Sequence, residues 1–182
     1  NLFYSIISKY SETEYNKHVI RNDFDYHQSL IDVLKIKEIT VDELEEKLGT
    51  ISSEISDKAT TEERILLAKN IYNENVFQKL DILKTITGEF VRLDCSSYKC
   101  YLESRDENIR FPGNYVFPNT FKLIRKDNTI ALQNCIPELT YEVLLNTILE
   151  DESNELGSQE GIRLSNFVCS LIEKSKGKIK LE

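Results

Sequence analysis

The chain has no methionine, and proline and histidine are scarce. Without an initiating methionine the sequence reads as a fragment, or as one with residues missing. The two histidines, His18 and His27, lie far upstream of every cysteine, so a Cys–His or Ser–His pair would have to span two structural units. No glycine-rich segment leads from a strand into a helix, so no phosphate-cradling loop is expected. No apolar run approaches the roughly 20 residues that a membrane span requires. The first residues, Asn1 to Ser8, lack the basic flank and small-residue cleavage site of a secretory signal. Basic charge is also in deficit: 23 Lys and Arg stand against 31 Asp and Glu, for a net charge of -8. That excludes a broad electrostatic footprint on DNA or anionic lipid. The one basic cluster, Lys174, Lys176, Lys178 and Lys180, reads as a solvated end.

The remaining chemistry-bearing residues give no reaction. Cys95-x4-Cys100 has no second pair to complete a tetrahedral zinc site. Cys135 and Cys169 sit in apolar patterns, where a free cysteine behaves as a small hydrophobe. Asp151, Glu152 and Glu155 lack the alternating spacing and the loop glycine of a calcium site. The expectation is a protein that is not an enzyme, holds no metal or cofactor, and works in a reducing compartment.

What is present is apolar periodicity. Apolar content of 40% with 30% charged residues fits a soluble protein of globular and helical parts. The first half has no proline, and residues 2–36 predict helix, with Leu2, Phe3, Ile6, Ile7 and Tyr10 on one face. From there a heptad-like stripe runs through Leu34, Val41, Leu48 and Ile55 at one position and Leu30, Leu44 and Ile51 at the other, interrupted by Lys37. The expectation is a helical or coiled-coil stalk over residues 1–60, pairing through Leu30, Leu34, Val41, Leu44, Leu48, Ile51 and Ile55. Its acidic surroundings, including Asp42, Glu43, Glu45 and Glu46, favour a heteromeric partner over self-pairing. An amphipathic helix packed on its own head is the other reading of the same stripe.

Residues 61–182 are expected to form the head. Helix resumes at Thr61, with Ile65, Leu66, Ala68, Ile71, Tyr72 and Val76 as its face. Alternation then predicts antiparallel strands over 82–86, 90–95, 98–102, 121–125 and 129–135, with turns at Thr87–Gly88–Glu89 and Asp127–Asn128. Pro137 ends the sheet and two helices follow, the last with Ser165 or Asn166 near its start. The fold class is α+β, with four or five strands in the head. Candidate partner-binding residues there are Phe111, Tyr115, Phe117, Phe167 and Leu171, in an aromatic loop and on the final helix.

This order of helix, antiparallel sheet, proline, helix and helix resembles the RWD domain. Short stretches are similar to RWD-domain kinetochore subunits. Glu74–Asn75–Val76–Phe77, Val91–Arg92–Leu93–Asp94, Leu123–Ile124–Arg125–Lys126 and Cys135–Ile136–Pro137 resemble the CENP-O family. Phe121–Lys122–Leu123, Pro137–Glu138–Leu139 and the helix from Leu164 to Ile172 are similar to the monopolin core subunit and to coiled-coil RWD subunits of the outer kinetochore. The length leaves no room for the second RWD domain expected of CENP-O proteins, which, unless the chain is truncated, favours the single-headed types. The resemblance implies a structural adaptor at the centromere, in the nucleus, whose partners are other kinetochore subunits and in particular a coiled-coil RWD partner. Neither direct DNA binding nor a membrane enters this reading. An RWD-type adaptor in ubiquitin or stress signalling is the alternative. Catalysis in conjugation is disfavoured, because no His-Pro-Asn triplet precedes a cysteine.

Overall fold

A computed structural model describes residues 2–11, 39–113, 115–150 and 159–175. The expected helix over 12–36, with Leu30, Leu34, His18 and His27, lies outside the described residues, as do Lys37, residues 151–158 and the tail from residue 176. The architecture is a mixture of helices and small sheets, within the α+β class. It groups into two compact units, each discontinuous in sequence.

The first unit comprises Asn1–Leu83, Phe90–Asp94 and Thr129–Leu132. Helix α1 (Leu2–Tyr10) buries Phe3, Ile6, Ile7 and Tyr10, which is the spacing of a one-sided helix. Helix α2 (Val41–Thr50) opens on a capping box: the Thr40 hydroxyl accepts from the Glu43 N–H at 3.2 Å, and the Glu43 carboxylate accepts from the Thr40 N–H at 3.0 Å. The chain breaks at Ile51, whose N–H donates to the Leu48 carbonyl in a tightened last turn, and restarts as α3 (Ser52–Lys58). Helix α4 (Thr61–Asn70) carries a second capping box, Thr60 with Glu63. Its cap is Thr60, and the helix begins at the expected Thr61. Helix α5 (Glu74–Lys79) is capped by Asn73.

The break at Ile51 changes the meaning of the stripe. Leu44, Leu48, Ile51 and Ile55 are buried within this unit, where α1 packs on α2 and α3 and α2 packs on α5. A seam for a partner chain would leave them uncovered. Here the apolar face of α1 lies against α2 and α3, so the stripe is taken up inside the chain; Val41 alone among its described members is exposed. Helices α4 and α5, expected in a head beginning at residue 61, group with this unit as well. The buried face of α4 is Leu67 and Ala68, while the expected Leu66 and Tyr72 are exposed.

Two charged groups organise the interior. Glu45, 2% exposed, accepts from the Tyr72 N–H at 3.1 Å and the Asn73 N–H at 2.6 Å, so it satisfies backbone donors where α4 ends and α5 begins. Arg64 donates to the carbonyls of Ala59 (3.1 Å), Asp81 (3.0 Å) and Ser56 (2.6 Å) and lies over the Phe90 ring. One guanidinium thus ties the end of α3 to Asp81 and Phe90.

Strands β1 (Leu83–Lys84) and β2 (Phe90–Val91) form a two-stranded sheet. The turn between them needs Gly88, whose φ of 96° lies in the left-handed region. The expected strand over 90–95 stops early, because the Asp94 N–H turns to the Gln78 carbonyl.

The second unit comprises Lys84–Glu89, Cys95–Asn128 and Gln133–Glu182. Its centre is β3 (Lys99–Leu102) paired with β4 (Phe121–Ile124), and the pairing is parallel, with Tyr101 opposite Leu123. This corrects the antiparallel sheet expected from the alternation. Residues 103–120 form a connection long enough for the crossover that parallel neighbours require. Residues 85–86 bond antiparallel to the far edge of β4, through the Ile86 N–H and the Leu123 carbonyl. On the far edge of β3, Leu102 exchanges bonds with Pro137 and Leu139 at 2.8 Å each. Pro137, expected to end the sheet, lies in this edge segment, where it presents no N–H to solvent.

The expected strand over 129–135 is absent. The Ala131 N–H donates to the Ala68 carbonyl within the first unit, and Gln133–Cys135 forms a 3₁₀ turn. Helices α6 (Tyr141–Leu149), capped by Thr140, and α7 (Gln159–Ser175) complete the second unit. Helix α7 begins before the expected Ser165.

Candidate interaction surface

Partners in a parallel register share a face of the sheet. Lys99 and Phe121, then Tyr101 and Leu123, face one way; Cys100 and Lys122, then Leu102 and Ile124, face the other. Apart from the exposed Lys99 the first face is apolar, and side chains of the crossover 103–120 pack on it in place of the usual helix. Ile109, Phe111, Tyr115 and Phe117 from that crossover pack on a buried cluster of Phe121, Leu123, Leu139, Tyr141, Leu144, Ile148 and Leu171.

The rings define the geometry. Phe117 stacks on Phe121 at 5.6 Å between centroids, and Tyr101 stacks on Phe121 from the neighbouring strand at 5.3 Å. Phe111 stacks on Tyr115 and meets Phe117 edge-on, both at 4.8 Å. Each such pair contributes about 0.5–1.5 kcal/mol beyond its buried area, so the crossover is held firmly without regular backbone bonds. The Tyr115 hydroxyl donates to the Thr147 carbonyl at 3.4 Å, near the end of α6. The Tyr141 hydroxyl points to Asp106 of the crossover; burial, and then the nearby carboxylate, push its pKa above the ordinary value.

The structure brings Phe111, Tyr115, Phe117, Phe167 and Leu171 into this one cluster. Leu171 is 2% exposed and belongs to the core, so the expectation that it binds a partner is corrected: α6 and the sheet have already covered it. Phe111, Tyr115, Phe117 and Phe167 are half-buried. The expected stalk surface is not assembled, because Leu44, Leu48, Ile51 and Ile55 are interior.

Val116 does not stand out in the sequence pattern. It is 82% exposed, between two rings that turn inward. Its signal in the sequence is Tyr115–Val116–Phe117 between prolines: in an extended chain, alternation puts one of three apolar residues on the outside. Glu45 and Arg64 were equally hidden, since nothing local distinguishes them from other surface charges.

Among the described residues, no group of three or more His, Cys, Asp or Glu side chains could hold a metal ion. No helix among the described residues is long and apolar enough to cross a membrane. Compared with known proteins, the chain matches no family model, no curated protein and no solved structure.

Proposed function

We propose that the chain is a non-catalytic adaptor whose second unit docks a partner protein on the crossover between β3 and β4. The observation that supports this reading is Val116, a β-branched apolar side chain 82% exposed on a loop whose neighbouring rings are packed. Holding such a side chain still in the free protein removes ordering cost at binding. The short stretches similar to RWD-domain kinetochore subunits make another kinetochore subunit the partner of choice, and the nucleus the place. The parallel pairing of β3 and β4 departs from the RWD sheet, so the reading stands on the loop and on those stretches, not on topology.

The test is co-purification from nuclear extract with the wild-type chain and with Val116→Asp. An exposed valine leaves stability nearly unchanged when replaced, so the two proteins should melt alike. Centromere proteins recovered with the wild type and lost with the variant are the expected result. Conjugating enzymes or ribosomal factors in their place would favour an adaptor of ubiquitin or stress signalling. Recovery that ignores Val116 overturns the proposed surface.

A further inference from the structure

The two sides of the β3–β4 sheet end differently. Beyond β4, the added segment 85–86 has an outer partner of its own, since the Thr85 N–H donates to the Glu89 carbonyl at 2.9 Å. Beyond β3, residues 137–140 form the rim. The Pro137 carbonyl and the Leu139 N–H both bond to Leu102, so those two residues turn their backbone groups inward. Alternate residues of an extended chain turn theirs the opposite way. Thr140 is extended, with φ -109° and ψ 168°. The N–H and carbonyl of Glu138 and the N–H of Thr140 therefore face outward, and none of the described residues bonds to them. Pro137, Glu138 and Thr140 are exposed, while Leu139 is buried in the core cluster. Such a row of unpaired groups is a template for a further strand.

The Glu138 side chain is fixed on this rim. One carboxylate oxygen, Oε1, accepts from the Arg105 N–H at 2.6 Å and from the Ser104 hydroxyl at 3.5 Å. The other, Oε2, has no partner among the described residues. Glu142, in the first turn of α6, and Asp106, beside Arg105 in the chain, add negative charge nearby; the exposed Arg105 is the basic residue set against them. A fixed carboxylate with one oxygen unused, beside three unpaired backbone groups, matches a basic residue on an incoming strand. It also disfavours a second copy of the same rim, because self-pairing centred here would set Glu138 against Glu138.

We propose that the rim at Glu138–Thr140 docks an extended segment of a partner protein as an added strand, with a Lys or Arg of that segment facing Glu138. The partner's backbone takes up the Glu138 N–H and carbonyl and the Thr140 N–H. This is strand addition to a sheet edge, where main-chain bonds supply affinity and alternate side chains supply specificity. Glu138 is in register with Leu102 and shares its face of the sheet. The crossover that carries Val116 packs on the other face. Docking at the rim is therefore separate from the surface around Val116.

The experiment pans a phage library of random heptapeptides against the full folded chain, then adds a selected synthetic peptide to isotope-labelled protein and follows amide exchange by NMR. The selected peptides should carry Lys or Arg between β-branched or aromatic residues. With peptide at about ten times its Kd, exchange should slow about tenfold at Glu138 and Thr140. It should stay unchanged at Leu139, whose N–H is already bonded to Leu102. Glu138→Gln keeps an acceptor for the Arg105 N–H and removes the charge, so it should weaken binding about two- to fivefold. Val116→Asp should leave the same binding unchanged. Failure to select any peptide overturns the proposal, as does a peptide that binds without slowing exchange at both residues or that ignores Glu138→Gln. A free chain that self-associates in sedimentation with those two amides already protected also overturns it, by giving the rim to a second copy.

Discussion

Replacing Glu63 by glutamine removes one charge from the point where α1 meets α4. The carboxylate accepts from the Lys9 ammonium at 2.7 Å, the Tyr10 hydroxyl at 2.5 Å and the Thr60 N–H at 2.9 Å. Burial raises its pKa, but these hydrogen bonds and the Lys9 charge outweigh that and lower it from 4.5 to about 2. A depression of that size is linked to about 3 kcal/mol of folding free energy. The Lys9 side chain is 52% exposed, and solvent screening of such a partner brings the expected loss to about 1–2 kcal/mol. The sign follows from the direction of the shift. A carboxyl depressed in the folded state contributes fully above its unfolded pKa and loses that contribution as pH falls through its folded pKa. Urea unfolding of wild type and Glu63→Gln should therefore differ by about 1–2 kcal/mol at pH 7. The gap should narrow below 4.5 and close near 2. A gap that is absent at pH 7, or constant from neutral to acidic pH, would refute the linkage.

Three further outcomes are expected. Glu45→Ala leaves the part-buried N–H groups of Tyr72 and Asn73 without this acceptor and should cost about 1–2 kcal/mol, read by urea unfolding and by faster amide exchange at those two residues. Leu48→Asp places a charge at a site with 0% exposure; it should unfold the first unit, as circular dichroism would show, whereas dissociation of a folded dimer in sedimentation would restore the stalk reading. Gly88→Ala puts a Cβ at φ 96° with no neighbouring atom to clash, so only backbone strain acts, and the thermal midpoint should fall by the equivalent of about 1 kcal/mol.

Local rules made the helices legible. The one-sided face of α1 is legible in the spacing of Phe3, Ile6, Ile7 and Tyr10. The capping boxes at Thr40 and Thr60 are legible too, as Thr-x-x-Glu. Partner choice was not legible. The stripe from Leu44 to Ile55 looks the same whether α1 or another chain covers it, and only burial separates the two. Strand direction was hidden for a similar reason: alternation in Lys99–Leu102 and Phe121–Ile124 sets which face is wet, not which way the neighbour runs. Of the candidate surface, the rings were visible as an aromatic cluster, but Val116 emerged only when Tyr115 and Phe117 were seen to turn inward.

The hydrogen bond from the Ala131 N–H to the Ala68 carbonyl has a bearing on synthesis. The first unit takes its last segment from Thr129–Leu132, after most of the second unit's sheet has been encoded. A nascent chain can form α1 to α5 early but cannot complete that unit until residue 132 has left the ribosome. Sequential N-to-C completion of the units is therefore closed to this chain, and no single backbone cut releases the first unit whole.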